Sequence, residues 1–243
     1  MFALLKKEIS GFFSTITGYL AIVVYLLMNS LFVFVFQGDY NILDGGYADL
    51  RPLFMLSPWV FMFLVPAITM RLFAEEKRTG TIELLLTRPL TELQIVLAKY
   101  FAGLLIVLFS LLFTLIYFYS IIRLGDPVGN IDLGGTWGSY IGLFFLAAIY
   151  VAIGLFSSSI TENQIVAFII GMMICFFFYF GFEAMSTLGI FAKVQSSIVS
   201  FGINEHYSSV SRGVVDTRDL IYFVSIIAVF IFFTKTVLES RKW

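Results

Sequence analysis

Six stretches of this chain are free of charged side chains, or nearly so, over lengths a lipid bilayer accepts, and that pattern limits the fold more than any other feature. Ile9 to Gly38 spans about 30 residues without a charge, Pro52 to Met70 about 19, and Tyr100 to Ile122 about 23. The first predicts a retained span over 19–36. Leu133 to Thr161 supplies a span near 140–157, and Gln164 to Phe182 a fifth. Leu220 to Thr234 is only about 15 residues, so a sixth span requires the helix to continue toward Leu238 while Lys235 snorkels to the headgroups. With roughly 20 apolar residues needed for a helix to cross, all six qualify. Composition agrees: 60% of residues are hydrophobic and 13% charged, against about 45–50% apolar for a soluble domain. The expected fold is an all-α integral membrane protein, a single transmembrane domain over 1–243.

The connecting segments have their own signals. Phe2, Leu5, Ile9, Phe12, Phe13 and Ile16 recur at helical spacing opposite Lys6, Lys7 and Glu8, which predicts an interfacial helix before the first span. Gly125 to Gly138 is glycine-rich and reads as a loop. Thr161 with Gln164 forms a capping-box pattern for the fifth span. Between spans five and six, Phe191, Val194, Ile198 and Phe201 predict an amphipathic helix lying at the surface. Asp216 or Thr217 then caps the last span, with Asp219 near its positive end.

Charge placement orients the helices. With the N-terminus inside, Lys6, Lys7, Arg71, Lys77, Arg78, Arg88, Lys99, Lys235, Arg241 and Lys242 fall on the cytoplasmic side. Arg51, Arg123, Lys193, Arg212 and Arg218 fall outside. The excess inside obeys the positive-inside rule, so both termini are expected in the cytoplasm.

Several function classes are excluded or disfavoured. Net charge is −1, which gives no basic field to hold nucleic acid. One histidine, His206, and one cysteine, Cys175, leave no multi-histidine or CxxC site and no Ser/His/Asp pair with backup. No phosphate-binding loop and no metalloprotease or hydrolase motif occurs, so no catalytic residue and no metal site is assigned. The spans also lack the buried charge an ion-coupled carrier uses, so energy must come from elsewhere. Asn29 is read as an interhelical contact, Glu183 as a water-facing residue at a span's end, and His206 as a solvated loop residue. The aromatic run from Cys175 to Phe182 is read as packing and interface bulk.

The remaining stretch is Arg71 to Lys99, a long charged segment between the second and third spans. Its punctuation predicts a charged helix through Arg78, Gly80 at the position after the helix, Thr81 capping a short helix from Ile82, a break at Pro89, and a Thr91–Gln94 capping box starting the next helix. Ile82, Leu84, Leu85 and Leu86 are apolar and flanked by charge, so the short helix must bury itself in headgroups or against a protein.

This stretch, EEKRTGTIELLLTRPL at Glu75 to Leu90, resembles the cytoplasmic motif of ABC-type-2 transport permeases, matching at Glu75 or Glu76, Gly80, Thr81, Glu83, Leu84, Leu85 and Pro89. The six spans, the amphipathic N-terminus and the segment SRGVVDTRDLIYF at Ser211 to Phe223 are also similar to that family, and place Arg212, Gly213, Asp216 and Asp219 in an external segment. Within the family the combination looks most like gliding-motility-associated permease subunits; permeases for drug export or copper maturation share the loop. The resemblance implies an ATPase-coupling helix with Ile82, Leu84 and Leu85 as anchors. It also implies two copies of a separate ABC ATPase that bind ATP and Mg, no cofactor in this chain, and a homodimer or a heterodimer with a similar permease. An additional membrane or periplasmic subunit is compatible with it. The implied location is the bacterial inner membrane. A non-transporting scaffold or mechanical coupler acting through 183–219 is the alternative.

Overall fold

A computed structural model of the chain describes residues 1–87, 89–187, 194–213 and 216–240. Among these residues the regular structure is entirely helical. In chain order the helices are α1 (Phe2–Phe13), α2 (Ile16–Ser30) continued by a π-helical turn at Leu31–Val35, α3 (Ile42–Gly45), α4 (Arg51–Thr69), α5 (Arg71–Arg78) and α6 (Thr81–Leu86). Then come α7 (Glu92–Phe113), α8 (Leu115–Leu124), α9 (Leu133–Ile160) and α10 (Gln164–Phe176), the last continued by a second π-helical turn at Phe177–Gly181. The chain closes with α11 (Phe182–Ser186), α12 (Gln195–Val199), α13 (Ile203–Val210) and α14 (Thr217–Glu239).

Among the described residues, six helical stretches are long and apolar enough to cross a membrane: Gly18–Val35, Arg51–Arg78, Glu92–Leu124, Leu133–Ile160, Gln164–Ser186 and Thr217–Glu239. Six crossings return the chain to its starting side, so α1, the α5–α6 segment and the end of α14 share one face. The opposite face carries α3, the loop before α9, and α11 to α13.

Local chemistry explains most of the boundaries. Thr91 and Gln94 form the reciprocal capping box that starts α7, and Asp216 caps α14 by accepting from Arg218 N at 2.9 Å. The fifth span departs from expectation: its cap is Asn163, whose Oδ1 accepts from Ile165 N at 2.9 Å, while Thr161 Oγ1 turns instead to Asn163 N at 3.1 Å. Asn163 wins because it stands immediately before α10, where its side-chain oxygen reaches the free N–H groups of the first turn. The N-terminal stripe is also redistributed, since Leu4 and Phe12 are buried while Phe2 and Ile16 are exposed. Among the described residues, the helical segment between spans five and six comprises two short pieces. Its buried side is Ile203, Tyr207 and Val210 of α13, and Val194 and Phe201 are exposed. Phe191, Lys193, Arg88, Arg241 and Lys242 lie outside the described residues.

The largest departure concerns the glycine-rich stretch before the fourth span, half of which is helix. Asp132 caps α9 by accepting from Gly135 N at 3.0 Å, so Gly134, Gly135 and Gly138 are helical. At Gly138 the reason for a glycine is another backbone lying against it. A Cβ on Gly138 would sit 2.7 Å from Gly213 Cα and 2.7 Å from Val210 O, and Gly213 holds a left-handed φ of +88°.

Close approach of this kind makes α9 the centre of the bundle. It packs against α4, α5, α7, α10, α13 and α14. Leu143, Leu146, Ala147, Ile149, Tyr150, Val151 and Ile153, which point in all directions, are buried. Lipid tails are as apolar as leucine, so membrane helices associate through small residues and interhelical hydrogen bonds. A Cβ on Gly154 of α9 would collide with the Thr69 side chain of α4, and one on Gly171 of α10 would lie 2.8 Å from Ser157 Oγ. Polar bridges add to this packing. Tyr25 and Ser57 hydroxyls are 2.9 Å apart, and Ser57 donates to Asn29 Oδ1 at 3.3 Å, so Asn29 is an interhelical contact between α2 and α4. At the opposite face, Tyr207 donates to Phe54 O at 2.7 Å. Burial pushes that hydroxyl well above its usual range, so it remains a donor at any ordinary pH.

Gly138→Ala is expected to lower stability by about 1–3 kcal/mol through overpacking against Val210 and Gly213. Gly11→Ala on α1 is the control, because a Cβ there meets nothing within 4 Å. Thermal unfolding of both variants in detergent checks this, and equal melting temperatures would contradict it.

Candidate functional site

The charged segment between the second and third spans is built as a helix, a left-handed joint and a shorter helix. α4 runs into α5 with a change of bonding at Met70. There Ser158 of α9 enters the helical ladder: its Oγ donates to Met70 O at 2.8 Å and accepts from Phe73 N at 2.9 Å and Ala74 N at 3.0 Å. Lys77, also buried, donates to Ser159 O. α5 is thereby fastened to the end of the central helix.

Gly80 stands at φ +71°, a left-handed conformation that a side chain would strain, and it reverses the chain between α5 and α6. It is also the residue that precedes α6, and Thr81 is already helical. Thr81 therefore does not cap the helix as expected. Its Oγ1 lies 3.0 Å from Thr79 Oγ1 and donates to Glu76 O at 3.4 Å, which ties the joint together.

The anchors expected on α6 are divided. Ile82 and Leu85 are 6% and 8% exposed and belong to the protein's own core, whereas Leu84 is 69% exposed. The expectation that all three present themselves to a partner is corrected for Ile82 and Leu85. A three-to-four-residue helical period places both on one face, and that face is taken by the body of the bundle. The outward face carries Thr81, Glu83 and Leu84, followed by Thr87 and Pro89, all exposed.

Glu75 and Glu76 are also distinct. Glu75 pairs with Arg71 at 3.4 Å on the exposed side of α5. Glu76 turns inward to a cluster that the motif does not contain. Lys99 Nζ, at the start of α7 and 1% exposed, lies 3.0 Å from Glu76 Oε1 and 3.1 Å from Glu8 Oε1 of α1. It also sits 5.2 Å from the centroid of the Phe73 ring. Lys7 adds a second cation, 3.5 Å from Glu76 Oε1 and 3.6 Å from Glu8 Oε1. Three helices distant in sequence thus meet on one buried ammonium. The signal that could have found it is a charged residue beside each apolar run, Glu8 before the first and Lys99 before the third, with opposite signs.

The four residues expected in the external segment separate. Arg212 is exposed, Gly213 lies against α9, and Asp216 caps α14. Asp219 is buried and lies 2.7 Å from His206 Nδ1, while His206 Nε2 is 2.8 Å from Ser200 O and the ring stacks on Tyr222 at 3.8 Å. His206 is a joint between α13, α14 and the end of α12, which corrects its reading as a solvated residue. Glu183 accepts from Asn204 Nδ2 at 3.2 Å.

The family model described as ABC-2 family transporter protein matches residues 49–242, from just before α4 to beyond α14. The chain belongs to the ABC-2 transporter family. A comparison with curated proteins finds no match. This ABC-2 protein is a multi-pass permease component of an ABC transporter. ATP hydrolysis in such transporters belongs to an ABC ATPase partner and not to the permease. The matched region contains the α5–α6 joint, Glu76 and Lys99, whereas Glu8 on α1 lies outside it.

Removing Lys99 leaves two facing carboxylates with only the exposed Lys7 beside them. Lys99→Met is expected to destabilise the permease by about 3–5 kcal/mol, the cost typical of breaking a buried ion pair. Glu8→Gln/Glu76→Gln in the same chain should recover most of the loss. Unfolding in detergent measures both, and a stable single variant would show that the cluster contributes little.

Proposed function

We propose that α6 is the coupling helix of this ABC-2 permease: Leu84, with Glu83 and Thr81 beside it, meets the ATPase, while Ile82 and Leu85 seat the helix in the permease. The observation that carries the reading is the exposed, rigidly mounted α6. Leu84 projects from a helix whose Ile82 and Leu85 side chains are buried, at a joint fastened to α9 through Ser158 and Ser159 and to α1 and α7 through Lys99. A displacement of α6 would pass to these helices together, since each contact joins packed rigid elements.

The reading extends to two ATPase copies carrying ATP and Mg, and to pairing with a second copy of this chain or a similar permease. It places both termini in the cytoplasm and the spans in a bacterial inner membrane. Within the family the resemblance runs to the gliding-motility-associated permease subunit GldF, with export or mechanical work as the output. In the mechanical form, movement of α9 would reach 183–219 through α13, whose Tyr207 and Val210 lie beside Gly142, and an additional membrane or periplasmic subunit would receive it. Substrate-stimulated ATPase activity in reconstituted vesicles supports export; stimulation by a protein partner without flux supports force coupling.

Orientation is checked with single cysteines. Those at Asp44 and Ser208 should react with an impermeant thiol reagent outside intact cells, and one at the exposed Glu83 should not. The reverse pattern would overturn the assignment.

Leu84→Asp places a charge in the contact, and loss of a central anchor costs about 2 kcal/mol or more, so ATPase co-purification should fall more than tenfold with normal membrane insertion. Leu85→Asp should instead reduce folded yield. Undiminished ATPase recovery with Leu84→Asp would return α6 to a helix resting on headgroups.

A further inference from the structure

The face opposite the termini holds a feature with no part in the coupling reading. A cavity of about 640 Å³ opens there between the start of α4, the start of α9, α13 and the π-helical turn after α10. That volume is in the range of small-molecule sites. Its wall carries an apolar, aromatic stretch formed by Phe54, Met55, Trp59, Tyr179 and Phe180, beside serine, threonine and asparagine side chains. Trp59 and Phe180 lie 4.5 Å apart, yet Trp59 is 42% and Met55 57% exposed. Tyr179 and Phe180 come from the π-helical turn, a local winding that recurs at functional sites.

The mouth differs from the wall. Arg51 and Arg212 stand there, with Asp49 and Asp132. Both carboxylates are already engaged by helix ends: Asp49 accepts from Arg51 N at 2.9 Å at the start of α4, and Asp132 from Gly135 N at 3.0 Å at the start of α9. Arg51 Nε stays 3.7 Å from Asp49 Oδ2, a loose pair with both side chains more than half exposed. Arg212 has no ion-pair partner among the described residues. Two guanidiniums and two positive helix ends therefore face two carboxylates, and the excess is positive. A guanidinium fork suits phosphate or carboxylate oxygens. Trp59 lies eight residues along α4 from Arg51, about 12 Å deeper, so a ligand that satisfies both parts has an anionic head and an apolar arm.

We infer that this cavity binds an anionic amphiphile, its phosphate or carboxylate head at Arg51 and Arg212 and its apolar arm along Trp59 and Phe180. The head-and-arm chemistry is shared by an anionic membrane lipid and a free amphiphile. The inference stands whether or not α6 docks an ATPase, because the two sites lie at opposite ends of the spans.

The test uses the full chain carrying Trp137→Phe and Trp243→Phe, which leaves Trp59 as the only tryptophan of the three. In neutral maltoside detergent, dodecyl phosphate should change Trp59 emission saturably, whereas inorganic phosphate and dodecanol at the same concentrations should not. Arg51→Gln/Arg212→Gln should weaken the dodecyl phosphate response at least tenfold, and Arg51→Lys/Arg212→Lys, which keeps the charge without the fork, should fall between. Unchanged melting and gel-filtration profiles show that the variants are folded. In nanodiscs, greater quenching by brominated phosphatidylglycerol than by brominated phosphatidylcholine, lost in the glutamine variant, identifies a membrane lipid. Equal quenching by the two lipids alongside the micelle result identifies a free amphiphile, and both outcomes support the site. An equal response to dodecanol, or a glutamine variant that binds like the parent, overturns it.

Discussion

The structure depends on how closely other helices can approach α9. In a bilayer no hydrophobic gain draws one apolar helix to another, so contact must come from interlocking shape and from hydrogen bonds that lipid cannot offer. Gly138, Gly142 and Gly154 remove the side chains that would hold the neighbours off, and Thr69, Val210 and Gly213 fill the space. Ser157, Ser158 and Ser159 at the other end of α9 are buried and add polar contacts where the second span leaves the core. A helix surrounded on all sides in this way cannot move independently of its partners.

That constraint gives the α5–α6 segment its mechanical character. A surface loop between spans would ordinarily be free to follow its own motion. Here Ser158 takes over three bonding positions around Met70, Lys77 reaches Ser159, and Lys99 gathers Glu8 and Glu76. A buried ammonium needs its carboxylates, so α1, α5 and α7 are held together by a desolvation cost that any separation would expose. The exposed Leu84 stands on this base. At the far end, His206 performs a comparable joining role between α13, α14 and the chain after α12.

Much of this was legible in the residues. Charge-free runs located all six spans, because the bilayer demands internal satisfaction of every backbone group over a fixed thickness. The Thr91–Gln94 box, the Gly80 joint and the Asp216 cap were readable because each is a local bond between residues a few positions apart. The loop motif carried the family resemblance, and the family match over 49–242 agrees with it. Where local signals compete, neighbouring residues alone do not decide: Asn163 displaces Thr161 as a cap, and glycines that suggest a loop are helical.

What the sequence determined by itself is therefore the six spans, their membrane character and the segment that joins spans two and three. These follow from hydrophobic period, chain length and capping, which act over a few neighbouring residues. Tertiary structure alone decided which face of α6 is free, that Lys99 joins Glu8 to Glu76, and that Arg51 and Arg212 share one cavity with Trp59. The physical reason is common to all three. Exposure, ion pairing and cavity formation depend on which residues distant in the chain come within a few ångströms, and an apolar helix facing lipid has the same composition as one facing its neighbour.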